Sequence, residues 1–459
     1  MKRSTVIQAV AALGIASLGL AACSSSGSGD AAASVSAAAT EAAAAATEAA
    51  SEAAAMATEA ATEAPTEAAT EAAAACANPN LIVGTLLPQT GDLAFLGPPE
   101  VAGVQKAINE INANGGVNGA DVTLIEGDSG DTSTDIASQT VDSHLAQGVN
   151  AIIGAASSGV TLTVIDKITS NGVIQVSPAN TSPALTQYED NGLYWRVAPS
   201  DVLQGAVIAQ NAIDSGITKA AVIARQDPYG EGLLKGFSNV FSASGGTVTS
   251  EILYDPTAAS FEAEVTEIKG GAPEAVVVIG FEESVKLLQE MIKQGVGPKD
   301  LQVYLVDGNI STEAYKDFPK GTMKGVKATV PTGEADLTAF NESLKEVDPA
   351  LTDFAYGAQS YDAVMTVALA AQAAGCSDGV AIASKMADVA GNGGEKCTTY
   401  ADCVALLAAG TDIDFDGVTG PLDFNEYGDP AQATISVNEY VANNKFNETE
   451  KITAEVPLP

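Results

Sequence analysis

Short apolar runs that end abruptly in small polar residues, each followed by a segment with helical spacing, constrain the fold of this chain more than any other feature. Leu81–Leu87, Ala151–Gly154 and Val173–Val176 are of this kind. A run that is apolar at nearly every position is buried on both faces, which a strand achieves inside a parallel sheet covered by helices. After the first run, Val101, Val104, Ile108 and Ile111 recur at helical spacing until Gly115-Gly116 stops them. The units continue with a strand at Val122–Ile125, a helix at Ile136–Leu145, strands near Ala220, Glu274 and Leu301, and a helix at Ser284–Gln294. Regular alternation of this sort predicts an α/β fold with parallel sheets.

Two of these strands carry chemistry at their ends. Ala151–Gly154 runs into Ser157-Ser158, and Val173–Val176 runs into Ser177-Pro178-Ala179-Asn180-Thr181. In an open α/β sheet the ligand groove lies beyond the carboxyl ends of the strands, where helix N-termini offer unpaired N–H groups to anions. A small carboxylate suits such a groove.

The first residues predict where the chain works. Lys2-Arg3, an apolar stretch from Val6 to Leu20 and the small residues Leu20-Ala21-Ala22 before Cys23 form the pattern of a lipoprotein signal peptide spanning 1–22. Cys23 would then carry acyl groups and anchor an extracytoplasmic protein to the bacterial cell membrane. As an uncleaved span the stretch is short of the ~20 apolar residues a bilayer needs. Residues 23–76 collapse to Ala, Thr, Glu and Ser, with Thr-Glu-Ala-Ala at Thr40, Thr47, Thr58, Thr66 and Thr70. With no aromatic residue to bury, this stretch is read as a linker. The net charge of −37 with one histidine argues against nucleic acid and against anionic lipid headgroups, both of which need clustered Lys and Arg.

Further motifs follow in order along the domain: Gly84-Thr85-Leu86-Leu87-Pro88 with Thr90-Gly91; Ile108-Asn109-Glu110-Ile111-Asn112-Ala113 with Gly115-Gly116-Val117-Asn118-Gly119; Ile152-Ile153-Gly154 before Ser157-Ser158. Ser177-Pro178-Ala179-Asn180-Thr181-Ser182-Pro183, Tyr229-Gly230-Glu231-Gly232 and Gly420-Pro421-Leu422-Asp423-Phe424 complete the series. Over residues 77 to about 445 the chain resembles the branched-chain amino acid family of periplasmic binding proteins, the soluble receptors of ABC importers. The resemblance implies two doubly wound parallel-sheet lobes joined by three crossovers, a type I periplasmic-binding-protein-like architecture. It sets lobe 1 at 77–200 plus 331–430 and lobe 2 at 201–330 plus 431–459. It also implies a monomer without a cofactor, delivering its ligand to a permease and ATPase complex. A ligand-sensing receptor of the same fold, signalling to a membrane kinase or channel, is the alternative, as is an amide or other small carboxylate as ligand.

By the same resemblance, Ser158 and the N–H of Thr181 would hold the carboxylate of an amino acid. The Ala179 carbonyl, the Thr181 hydroxyl and the Asp307 carboxylate would receive its ammonium, and Tyr229 would close over it. Asp307 is the only charge in this set. Leu96, Phe281 and Tyr356, with Phe95 nearby, map to the side-chain pocket, and their apolar character favours an aliphatic ligand. One methylene of mismatch is worth only about 1–3 kcal/mol, so leucine, isoleucine and valine are not ranked by it. Each of these residues also has a plainer reading, since Ser, Thr and Asp at strand ends commonly cap helices or turns. Their shared position at the strand ends is what joins them.

Catalysis and metal binding draw little support. Gly127-Asp128-Ser129-Gly130-Asp131 looks like a serine-protease nucleophile motif, but the single histidine, His144, follows the serine and reads as a surface or satisfied helix residue. Asp412-Ile413-Asp414-Phe415-Asp416-Gly417 matches part of a calcium loop, yet Pro421 and the lack of flanking helices favour an acidic turn. With Cys23 assigned to lipid, Cys76, Cys376, Cys397 and Cys403 allow three disulfide pairings in an exported protein. Cys397 with Cys403 across a short loop is the first choice, leaving Cys76 with Cys376.

Overall fold

A computed structural model describes Cys76, residues 78–391 and residues 393–459. The expected leader at 1–22, the lipid attachment at Cys23 and all but the last residue of the linker at 23–76 lie outside the described residues. No helix among the described residues is long and apolar enough to cross a membrane.

Two sheets organise the domain. The first contains β1 (Ile82–Leu86), β2 (Thr123–Ile125), β3 (Ala151–Gly154), β4 (Ile174–Ser177) and β5 (Tyr194–Arg196), all parallel, in the order β2-β1-β3-β4-β5. The second contains β6 (Lys219–Arg225), β7 (Thr247–Tyr254), β8 (Ala275–Ile279), β9 (Gln302–Leu305) and β10 (Lys327–Thr332). A small third sheet is formed by β11 (Glu395–Cys397), β12 (Ile413–Gly417) and β13 (Gly420–Pro421). The chain then returns to the second sheet with β14 (Gln432–Tyr440) and β15 (Phe446–Glu455), giving the order β15-β14-β10-β9-β8-β6-β7. The parallel part of each sheet therefore repeats one winding, with its order reversing between β1 and β3 and again between β6 and β8. Such reversal points open a crevice at the strand ends. The chain passes between the two sheets three times, after β5, after β10 and after β13.

The fully parallel expectation fails at one edge of the second sheet. There β14 runs antiparallel to β10, and β15 antiparallel to β14. Residues Thr434–Val437 bury both faces whereas most of β15 is exposed or half-buried, so the hairpin closes the edge with a charged outer strand.

The interior strands are made by composition. All five residues of β8, Ala-Val-Val-Val-Ile, and all four of β3 are buried. The helix Gly357–Ala374 is buried along almost its whole length, because it packs into the core of the first sheet against Val83, Val104 and Ile153. The acidic stretch at 412–417 is β12 rather than a turn. Ile413 and Phe415 are buried on alternate positions, and Lys396 Nζ bridges Asp414 (3.0 Å) and Asp416 (2.8 Å). Both disulfides of the first-choice pairing form, Cys397–Cys403 and Cys76–Cys376.

Of the two readings of His144, the satisfied helix residue holds and the surface one does not, since the ring is buried. Its Nε2 lies 2.7 Å from the Thr85 carbonyl oxygen, in space left by Gly84, where a Cβ would come within 2.9 Å of the ring. Ser129 Oγ donates to the Gly130 carbonyl at 3.2 Å, so the hydroxyl and the imidazole are not a nucleophile–base pair.

Two helices that border the cleft, Asp201–Asp214 and Pro228–Ala243, touch backbone to backbone. A Cβ on Gly205 would meet the Gly236 carbonyl carbon and the Phe237 nitrogen, both at 2.5 Å. Gly205→Val should therefore lower stability by about 1–3 kcal/mol through overpacking, read as a fall in the urea midpoint at unchanged slope. An unchanged midpoint would refute the close approach.

Candidate functional site

Three helices begin at the cleft, and each start is set by a polar side chain. Ser157 Oγ accepts from Val160 N (3.4 Å) ahead of the helix Ser158–Thr169, so Ser157 is the cap and Ser158 the first helical residue. Ser200 Oγ accepts from Val202 N (3.4 Å), and Asp227 Oδ1 accepts from Gly230 N (2.8 Å) with Pro228 in the first turn. Tyr229 is accordingly held in a helical first turn. Leu96 lies beyond β1, Ser158 beyond β3, Ala179 and Thr181 beyond β4, Tyr229 beyond β6, Phe281 beyond β8 and Asp307 beyond β9. Tyr356 comes from a different place, the residue before the helix Gly357–Ala374.

Seven of these residues share one small cavity. Leu96, Ser158, Ala179, Tyr229, Phe281, Asp307 and Tyr356 line it, together with Leu93, Ala156, Ser157 and Gly308. Its volume of about 10 Å³ is that of one water-sized sphere. Admitting anything larger requires the two walls to part. Thr181 is not in the lining. It stands behind, buried, its carbonyl accepting from Asp201 N (2.7 Å) and its hydroxyl without a hydrogen-bond partner.

Asp307 is the hub. Its Oδ1 accepts from Tyr229 Oη (2.8 Å) and Gln204 Nε2 (2.9 Å), and its Oδ2 from Tyr356 Oη (2.7 Å). Burial raises the Asp307 carboxyl above the usual range, against the pull of these three donors. Burial and the neighbouring Asp307 likewise raise both phenols, which remain donors. Tyr356 adopts φ +60°, the left-handed region, which costs a side-chain-bearing residue roughly 1–2 kcal/mol. That backbone turn aims its ring from the first lobe at a carboxylate of the second.

Of the remaining contacts, Ser182 to Pro228 and Arg225 to Asp92 join the two lobes, and the others brace one wall. Ser158 Oγ accepts from Ser182 N (3.2 Å), and Ser182 Oγ donates to the Pro228 carbonyl (2.7 Å). The Phe281 ring stacks on Tyr229, with centroids 5.3 Å apart, and the Arg225 guanidinium lies over Phe281 at 3.6 Å. Arg225 pairs with Asp227 (2.6 Å) and Glu283 (3.1 Å), leaving a long 3.9 Å contact to Asp92. The wall for a side chain is thus apolar and aromatic, backed by a neutralised cation.

Asp201 and Gln204 were missed by the sequence reading. Asp201 sits in the first helical turn after Ser200, where an acid reads as an ordinary helix-start residue. The available signal is spacing: Asp201 and Gln204 are one turn apart on the stripe that also carries Gly205, Ile208 and Ala212 into the interior. Asp307 is the one charged residue in the cavity lining, and Asp201 lies outside that lining.

A family model described as periplasmic binding protein matches residues 81–435. Leu/Ile/Val-binding protein homolog 1 of Brucella abortus (strain 2308) is 30% identical over 360 residues, covering 76% of this chain and 88% of that protein. An amino acid binding protein of Pseudomonas aeruginosa is 26% identical over 316 residues, covering 65% and 80%. Among solved structures, the leucine binding protein LivK of Thermotoga maritima has a TM-score of 0.66 at 23% identity, covering 81% of this chain and 98% of that one. LivJ of Streptococcus pneumoniae, solved in complex with isoleucine, has a TM-score of 0.67 at 22% identity, covering 82% and 99%. With two doubly wound lobes meeting over a cleft at their strand ends, and with these relatives, this chain belongs to the branched-chain amino acid periplasmic binding protein family, a family of extracytoplasmic substrate-binding proteins.

Proposed function

We propose that this protein binds a small amino acid with an aliphatic side chain between its two lobes and delivers it to an ABC importer. The single observation that carries the reading is the Asp307 carboxylate. It is buried at the strand ends opposite the N-terminus of the helix Ser158–Thr169, so one cleft offers an acid for an ammonium and a helix start for a carboxylate. The N–H groups and hydroxyl around Ser158 take the anionic pole. Asp307, with the Ala179 carbonyl and Thr181, takes the cationic one. Leu93, Leu96 and Phe281 form an apolar wall suited to a branched aliphatic side chain. The Leu/Ile/Val-binding relative supports that class.

Closure follows from the same geometry. Tyr356 belongs to the helix that fills the first lobe, and Asp307 to the second sheet, so their hydrogen bond exists only when the lobes meet. A ligand that touches both walls binds the closed state better than the open one, and only that difference drives the motion. The Cys23 lipid anchor and the linker would keep the receptor near the permease outside the cytoplasm. No chemistry on the ligand is involved.

Asp307→Ala should weaken amino acid binding by about 2–5 kcal/mol in calorimetry, because a buried ammonium is left unpaired. Binding as tight as in the unaltered protein would overturn the assignment. Tyr356→Phe removes a hydrogen bond to a charged acceptor and should cost about 1.5–3 kcal/mol of the closed state. It is expected to weaken the apparent affinity and to leave a larger radius of gyration at subsaturating ligand in solution scattering. Equal affinity and equal size would remove Tyr356 from the closure.

A further inference from the structure

The helix Pro228–Ala243 carries Gly230, Gly232 and Gly236 close to its start. Glycine is a poor helix former, so each of the three needs a reason in packing. A Cβ on Gly230 would strike the Arg225 carbonyl oxygen, and one on Gly236 would come within 2.8 Å of the Asp201 carbonyl oxygen. Those neighbours belong to the same lobe as the helix, so both glycines serve its internal packing. Gly232 is different. The three atoms nearest its added Cβ are Pro183 Cδ at 2.5 Å, Pro183 Cγ at 3.4 Å and Ser182 Oγ at 3.6 Å, and all three belong to the first lobe.

The two residues that approach Gly232 are fixed firmly to their own lobe. Leu185, at the end of the short turn Pro183–Leu185, is buried with Ile165 and Tyr194, and the Ser182 carbonyl accepts from Arg196 at 2.8 Å. Ser182 Oγ accepts from Ala184 N at 3.3 Å and donates across the gap to the Pro228 carbonyl at 2.7 Å. That carbonyl is the one an α-helix pairs with the N–H of residue 232, so the hydroxyl bonds at the same step of the helix where the glycine leaves room. The Pro183 ring is closed onto its own backbone nitrogen and cannot swing aside as a long side chain could. Pro183 and Gly232 are half-buried, and neither they nor Ser182 line the ligand cavity.

We propose that the Ser182-Pro183 corner seats on Gly232 as the stop against which the lobes close, and that this seat sets the depth of closure without touching the ligand. Gly232 is thereby a positioning residue, acting on the ligand through the distance between the walls. The inference rests on the amino acid-binding reading and goes beyond it. A contact that every closed complex shares changes the closed fraction, and with it every apparent affinity, by one common factor. A methyl group at Gly232 props this edge apart in the closed molecule, whereas the open molecule accommodates it freely.

The test measures binding of L-leucine, L-isoleucine and L-valine to the intact protein by calorimetry, with thermal unfolding of the ligand-free protein alongside. Gly232→Ala should weaken all three ligands by one common factor, about fivefold to a hundredfold, while the ligand-free midpoint holds or rises because alanine favours the helix. Gly236→Ala, whose added methyl group meets its own lobe, should instead lower that midpoint. Adding Pro183→Ala to Gly232→Ala removes the ring carbons that stand in the way and should restore most of the lost affinity. Unchanged affinity, a loss that differs severalfold among the three ligands, a lower ligand-free midpoint in Gly232→Ala, or no recovery in the double variant overturns the seat while leaving the amino acid-binding reading intact. A wild-type protein that binds no amino acid in a screen of all of them overturns the proposed function itself, and this inference with it, which separates the two failures.

Discussion

The guanidinium of Arg196 is completely buried, and the geometry of the cleft floor depends on it. Nε and Nη2 reach the two oxygens of Asp429 at 2.6 Å each, Nη2 also donates to Thr186 Oγ1, and Nη1 donates to the Ser182 carbonyl at 2.8 Å. Such a pair is seldom a net source of stability, because desolvating two charges offsets most of their attraction. Its value here is registry. Arg196 ends β5, immediately before the first passage between the lobes, and Asp429 lies in the third passage. One side chain therefore fastens two of the three connections to each other and to the loop that carries Ala179 and Thr181. Removing either partner would strand the other charge in the interior and release that loop.

From this fixed floor the site is completed by helix starts. Ser157, Ser200 and Asp227 cap three helices that begin at the crevice, so Ser158, Asp201 and Tyr229 stand within the first turn of each. Helix starts concentrate unpaired N–H groups and positive potential. Asp307 faces them from β9 and is held by two phenols and an amide. The first lobe thus brings the start of the helix Ser158–Thr169 to this space and the second brings Asp307, and the aromatic pair Tyr229 and Phe281, braced by Arg225, closes its side.

Much of the frame was legible from local pattern. Ala151–Gly154 and Ser284–Gln294 have the bounds that the apolar periodicity predicts, because buried strands and amphipathic helices are written in their own residues. The strand-end hydroxyls were legible for the same reason, since position on the sheet follows from the strands, whereas Asp307 was reached only through the family resemblance. What local pattern does not carry is who faces whom. Asp201 looks like any acid at a helix start, and only the fold shows it fully buried one turn before Gln204, which donates to Asp307. His144 reads from sequence as either a surface or a satisfied helix residue, and Gly84 on a neighbouring strand, by making room to bury it against Thr85, selects the second. The 412–417 stretch had a readable signal, the alternation of Ile413 and Phe415, which its acidic composition outweighed.

The bond between Cys76 and Cys376 joins the start of the folded domain to the end of the long helix that fills the first lobe. Whatever strains the chain ahead of Cys76 is therefore borne by one half of the molecule alone. The other half is joined to it through three connections alone, so a rotation about those connections would leave the Cys76–Cys376 end of the fold where it is.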